Sequence, residues 1–217
     1  FRYTDEDLPN QNFKVIYQKL IENSGKTHFS LNFNLNESIF ENSNDLNSNS
    51  KFNNILLGFA KYPSPIYHNY IEKLFFYNNG SSFIFFQPTL YVINKNVISN
   101  WILTSESKLI NNKRCFKAIS TDYSYINNNK KTFEVEAWYC PEIPVKHGPL
   151  YFNNLPGLIL EVNYDKVSLL ATKVNLNIDK ILKINKPTGS QKVTFDEYNI
   201  LLNRKIEDLQ TQMENEK

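Results

Sequence analysis

The chain has 217 residues, 41% of them hydrophobic and 14% aromatic, with a formal net charge of +2. That composition suffices to bury roughly 70% of the unfolded surface in one domain, without help from a metal or a second subunit. Near-balanced charge without a dense basic stripe argues against nucleic acid as a main partner, since phosphate recognition needs clustered Lys and Arg; no run of about eighteen apolar residues is present to cross a membrane as a helix.

Residues 1–12 read as an N-terminal extension. Phe1 is preceded by neither a charged leader nor an apolar signal-peptide core, the pattern expected of a mature exported protein. From there to 185 the pattern is that of a single antiparallel β domain. Strands are expected at 13–20, 27–35, 73–77, 83–87, 90–93, 109–121, 132–139, 157–164 and 166–174, where β-branched and aromatic residues lie between Asn, Gly and Pro breaks. Short connections imply a meander. Residues 41–51 have almost nothing to bury and read as a loop, and Pro63 and Pro65 mark a second irregular connection. Heavy use of Asn, Lys and Ile is attributed to AT-rich coding.

If Asn127-Asn128 forms a two-residue type I′ turn, positions summing to 255 face one another. Phe116 then opposes Tyr139, Ala118 opposes Ala137, and Cys115 opposes Cys140. A disulfide between these cysteines would add about 3.5 kcal/mol on the chain-entropy account and would suit an oxidising compartment. The alternative is a pair of buried thiols.

Residues 140–157 form a different kind of segment. Pro141, Pro144, Pro149 and Pro156 each fix φ and remove a backbone donor, which excludes a helix interior or a central strand. An ordered, extended loop is expected. Pro156-Gly157 fits a type II turn leading into an apolar strand. The C-terminal segment, 186–217, changes period: Thr194 and Glu197 have capping-box spacing, and Phe195, Tyr198, Leu201, Leu202, Ile206, Leu209 and Met213 share one face of an amphipathic helix. That stripe packs on the sheet, or its last turns dock on a partner.

The run Trp138-Tyr139, Pro141-Glu142-Ile143-Pro144, Gly148-Pro149 and Leu155-Pro156-Gly157-Leu158-Ile159-Leu160-Glu161 resembles the GLPGLI family, secreted proteins of Bacteroidetes often associated with TonB-dependent outer-membrane receptors. One position departs: the family's first motif glycine is Asn154 here, the non-glycine residue that best tolerates a left-handed backbone. The resemblance implies export to the periplasm or outer membrane, on its inner or cell-surface side. It also implies a curved antiparallel sheet, half-barrel or barrel-like, similar to periplasmic lipoprotein-carrier folds, with the C-terminal helix.

Reactive chemistry is sparsely represented. His28, His68 and His147 are widely spaced and make no metal-ligand pattern, so neither metal nor cofactor is expected. His147 with Glu142 is the best acid–base pair, without an assignable nucleophile. His147 is expected to be an exposed loop residue. Glu134 and Glu136 share a strand face with Trp138, and glycosidase chemistry would require a measured carboxylate separation.

Three functions follow. The first is a non-catalytic interaction subunit of an outer-membrane protein complex of the TonB-dependent receptor type. Its binding loop comprises Trp138, Pro141, Glu142, Pro144, His147, Gly148, Pro149, Tyr151, Phe152, Leu155, Pro156 and Gly157. The aromatic side chains of that loop would anchor the partner or plug the sheet. The second is a carrier of an apolar ligand or peptide in the concave sheet, and the third an envelope hydrolase.

Overall fold

The computed structural model describes residues 27–43, 65–72, 74–78, 91–94, 100–126, 129–176, 182–186 and 191–201, with isolated positions between 14 and 25, between 57 and 62, and at 98, 188 and 204. Most of them lie in or between strands, in chain order β1 (Phe29–Phe33), β2 (Glu37–Asn42), β3 (Ile66–Asn69), β4 (Leu74–Asn78), β5 (Tyr91–Asn94), β6 (Ile102–Ile110), β7 (Lys113–Ile126), β8 (Asn129–Cys140), β9 (Leu158–Tyr164), β10 (Val167–Leu170) and β11 (Gln191–Thr194). The fold is therefore mostly β, as the pattern predicts. The expected strand at 83–87 lies outside the described residues, as does the loop expected at 41–51 from residue 44 on; Glu41 and Asn42, at its start, belong instead to β2.

Two sheets replace the one sheet expected from the meander, and neither closes into a barrel. The first has the order β1-β2-β3-β4-β5-β11 and the second β10-β9-β8-β7-β6. Within each, consecutive strands pair antiparallel, while β11 joins β5 in parallel. β11 lies in the segment expected to be only helical. Thr194 ends it and caps the helix: its Oγ1 accepts from the Glu197 amide (3.2 Å), and the Glu197 carboxylate accepts from the Thr194 amide (2.7 Å). This is the predicted capping box, and helix follows at 195–201. Helical residues beyond 204 lie outside the described residues.

The long hairpin β7–β8 has the register read from the sequence. Every pair from Phe116↔Tyr139 to Ile126↔Asn129 sums to 255, although the turn residues 127 and 128 lie outside the described residues. Two other tight turns have the left-handed residues that a type I′ turn needs, at Asn111-Asn112 (φ 49° and 59°) and at Asp165-Lys166 (φ 38° and 68°). The first divides what reads as one strand, 109–121, into the end of β6 and the start of β7. Of the strand expected at 13–20, the described positions 14, 15, 17 and 18 are helical instead, as are 21 and 22, with Tyr17 buried. The segment's apolar residues at 13, 16, 17 and 20 already carry the helical spacing, and here period outweighs β-branched content.

Both sheets contribute to one core. Phe40 and Ile66 come from the first; Ala118, Val135, Ala137, Tyr139, Val162 and Tyr164 from the second; Leu150, Phe152 and Leu155 from the segment between β8 and β9; and Tyr198 from the C-terminal helix. Burial of an apolar side chain contributes on the order of 2 kcal/mol, so this shared core holds the sheets together. The hydroxyl of Tyr164 donates to the Ala60 carbonyl at 2.6 Å, satisfying a buried polar atom. A second cluster, with Trp138, Cys115, Cys140, Ile143, Leu158 and Leu160, lies on the other face of β8. The register of β8 with β9 shifts between Trp138 and Tyr139. This bulge sends Leu158 and Leu160 to the second cluster but Val162 to the first, although simple alternation places all three on one face.

Candidate functional site

The ribbon from Pro141 to Gly157 is ordered by its own backbone. The Ile143 amide donates to the Cys140 carbonyl (3.1 Å), Val145 to Ile143 (2.8 Å), Asn154 to Lys146 (3.0 Å) and Phe152 to Pro149 (3.1 Å). Two further bonds, Leu158 to Ile143 and Ile159 to His147, tie the ribbon to the start of β9. The four prolines fix φ along the ribbon and offer no amide donor of their own.

Pro156 does not begin a type II turn. The Gly157 amide donates to the Leu155 carbonyl at 2.8 Å, a three-residue turn around the proline. Glycine is required at 157 by proximity: a Cβ there would lie 2.3 Å from the Cys140 carbonyl oxygen. Gly148 is equally confined, with the Phe152 carbonyl oxygen 2.4 Å from any added Cβ. Asn154 has φ 68°, the left-handed backbone suggested by its alignment with a motif glycine, and Leu150 has φ 55° with its side chain buried.

The ribbon's large side chains face inward: Tyr151, Phe152 and Leu155 are all buried. Trp138, on β8, is also buried but on the outer face of the second sheet. Of the expected binding residues, Pro141, Glu142, Pro144 and Pro156 remain exposed, as does Lys146. Glu142 pairs with Lys113 at 3.3 Å.

His147 is fully buried, not an exposed loop residue. Its Nε2 lies 2.9 Å from the Asn34 carbonyl oxygen, and its Nδ1 lies 3.3 Å from Nδ1 of His68 on β3. Asn153 Nδ2 lies 2.8 Å from Nε2 of His68, and the Trp101 indole donates to the Asn153 carbonyl at 2.8 Å. One proton arrangement satisfies all of these contacts with both rings neutral. His147 donates from Nε2 to Asn34, His68 donates from Nδ1 to the bare Nδ1 of His147, and Asn153 donates to the bare Nε2 of His68. The result is a polar chain running from the first sheet through the ribbon to Trp101 at the start of β6. Sequence reasoning did not find His68 because its partner is 79 residues away.

Burial, followed by the neighbouring His147, pushes His68 from its usual 6.5 down to about 3. Burial also lowers His147, against the opposing pull of the Asn34 and Leu35 carbonyls. His147 is thus a sealed structural group, and Glu142 lies at the solvent boundary beside Lys113. They do not form an acid–base pair.

On the outer face of the second sheet, Lys108 contacts Glu161 at 2.6 Å and lies 4.2 Å from the centre of the Trp138 ring. Glu136 accepts from the Trp138 indole (2.9 Å) and Asn163 (2.9 Å) and pairs with Lys117 (3.1 Å). Burial opposes ionisation of Glu136, but hydrogen bonds from Trp138, Lys117 and Asn163 outweigh it and hold the carboxyl below its usual range. It is therefore ionised near neutrality and unsuited to act as a general acid.

Cys115 and Cys140 lie one step beyond the last register pair and are both fully buried free thiols; the expected disulfide is not formed in this structure. Burial and the adjacent Cys140 push the Cys115 thiol up to about 12. Among the described residues no group of His, Cys, Asp and Glu could hold a metal, and no helix is long and apolar enough to cross a membrane.

A family described as a protein of unknown function, Porph_ging, matches residues 124–161, covering β8, the whole ribbon and the start of β9. No curated protein matches the chain. Two solved structures of PNGF-II, in space groups P21 and C2, are similar in fold, with TM-scores of 0.51 and 0.50 and 18% sequence identity. The likeness covers 82% of this chain but only 30% of each PNGF-II chain, so this chain spans under a third of their length.

The histidine chain sets a pH dependence. His68 binds its proton less readily folded than unfolded, so its contribution to stability is complete above about pH 6.5 and is lost as pH falls toward about 3. Denaturant unfolding at several pH values should show stability declining by up to ~1.4 kcal/mol per pH unit from this group over that window. The decline should be shallower in His68→Gln. Equal slopes in the two proteins would remove the buried neutral histidine from the account.

Proposed function

We propose that this chain is a non-catalytic interaction subunit of an envelope assembly, exported as a GLPGLI-type protein and bound to an outer-membrane complex of the TonB-dependent receptor type. The observation that carries this reading is the outer edge of the ribbon. Pro141, Glu142, Pro144, Lys146 and Pro156 are exposed on a backbone already fixed by hydrogen bonds and proline rings. A partner docking there orders little and loses little conformational entropy. The likeness to part of a much longer chain supports a modular role.

The same geometry identifies the substitutions that test it. Tyr151→Ala or Phe152→Ala would open the core at a cost of about 3–5 kcal/mol each, so loss of a partner there would report misfolding. Charge reversal at the exposed edge, Glu142→Lys with Lys146→Glu, leaves the core intact. Affinity purification from gently solubilised envelope should bring down a stoichiometric outer-membrane protein with wild type and at least tenfold less with the double variant. Recovery of the chain alone, or equal recovery of the partner by both proteins, would contradict this reading.

Export implies an oxidising compartment, and the facing positions of Cys115 and Cys140 support closure of the pair there. Intact protein from the envelope should then be lighter by two hydrogens than the reduced form and resist alkylation without reductant. Two alkylatable thiols after denaturation would exclude the disulfide.

A further inference from the structure

A cleft of about 630 Å³ separates the edge of one sheet from the edge of the other. Its walls are contiguous runs of chain, residues 27–33 along β1 and residues 167–175 along β10 and beyond. β1 and β10 are both terminal strands in their sheets. The floor is apolar, formed by Phe40, Ala60, Leu158, Ile159 and Leu160.

The hydrogen-bond phase of each wall follows from its pairing. The Ser43 amide donates to the His28 carbonyl and the Asn34 amide to the Glu37 carbonyl, two pairs whose numbers sum to 71. The bonded positions of β1 are therefore the even ones, and Phe29, Leu31 and Phe33 direct their N–H and C=O away from β2. On the opposite wall the Ala171 amide donates to the Leu160 carbonyl, placing the bonded positions of β10 at odd numbers. Ser168 and Leu170 then direct their main-chain groups away from β9. Two rows of outward main-chain donors and acceptors thus border one apolar-floored cleft.

We propose that this cleft binds an extended polypeptide segment of about five to seven residues, added as a strand along these edges. Main-chain groups that alternate donor and acceptor at strand spacing match a peptide backbone, whereas an acyl chain offers them nothing. The apolar floor selects a segment with apolar side chains at every second position, the others facing solvent. The cleft is separate from the exposed ribbon edge, so this proposal and the envelope-subunit reading can fail independently.

A phage-displayed random heptapeptide library selected on the wild-type protein supplies the probe without assuming a sequence. The proposal predicts enrichment of peptides alternating apolar and polar residues. A synthetic copy of the most enriched peptide should bind at least tenfold more weakly when N-methylated at alternate residues. Leu170→Pro should weaken binding by a similar factor. Its side chain is exposed and its N–H points off the sheet, so pairing with β9 is preserved, and an unchanged melting temperature checks that the fold survives. No enrichment, or affinity indifferent to N-methylation, would overturn the proposal. Displacement of the peptide by a dansyl-labelled fatty acid, with equal fatty-acid binding by Leu170→Pro, would also overturn it and identify an acyl site. A partner captured through Glu142 and Lys146 without any peptide binding would leave the ribbon reading standing and remove this one.

Discussion

A chain segment carrying four prolines has been placed between two β-sheets, where every buried backbone group needs a partner that no sheet ladder supplies. The ribbon meets that constraint with short internal turns, two bonds to β9, and the buried chain Asn153–His68–His147–Asn34. Because His68 lies on β3 and Asn34 in the turn after β1, this chain ties the ribbon to the first sheet by directional bonds. Neutral imidazoles are well suited to the place: each offers one donor and one acceptor at fixed angles without a buried charge.

That architecture separates the motif into an inside and an outside. Its aromatic and histidine side chains are committed to packing and to the polar chain, while Pro141, Glu142, Pro144, Lys146 and Pro156 meet solvent. Gly148 and Gly157 are fixed by the closeness of the Phe152 and Cys140 carbonyls. Most of the motif is thus accounted for by folding, and what it presents to solvent lies along one narrow edge. The outer face of β8 behaves similarly: Glu136 and Glu161, two carboxylates joined through Asn163, are each neutralised by a lysine.

Local signals were legible in the sequence and distant ones were not. The β7–β8 register and the Thr194 cap each follow from residues close together in the chain, and the left-handed Asn154 from the motif the chain resembles. β6 was missed because only Ile110 among its residues is buried, leaving almost no alternation to read. The division into two sheets was hidden because each hairpin pattern is local, while sheet membership depends on the contacts that close the core. His147 misled for a related reason: in a loop rich in Gly and Pro a histidine reads as exposed, and its burial depends on His68 and Asn34 arriving from another sheet. The bulge at Leu160 likewise inverts a face that strict alternation assigns.

The central claim, that a neutral histidine pair locks the ribbon between the sheets, is tested most directly by long-range ¹H–¹⁵N correlation of the imidazole nitrogens at about pH 5.5, below the ordinary histidine pKa. The account predicts two neutral rings, His147 as its Nε2–H form and His68 as its Nδ1–H form, each exchanging slowly with solvent. A protonated ring at either position, or the opposite tautomer at His147, would contradict it.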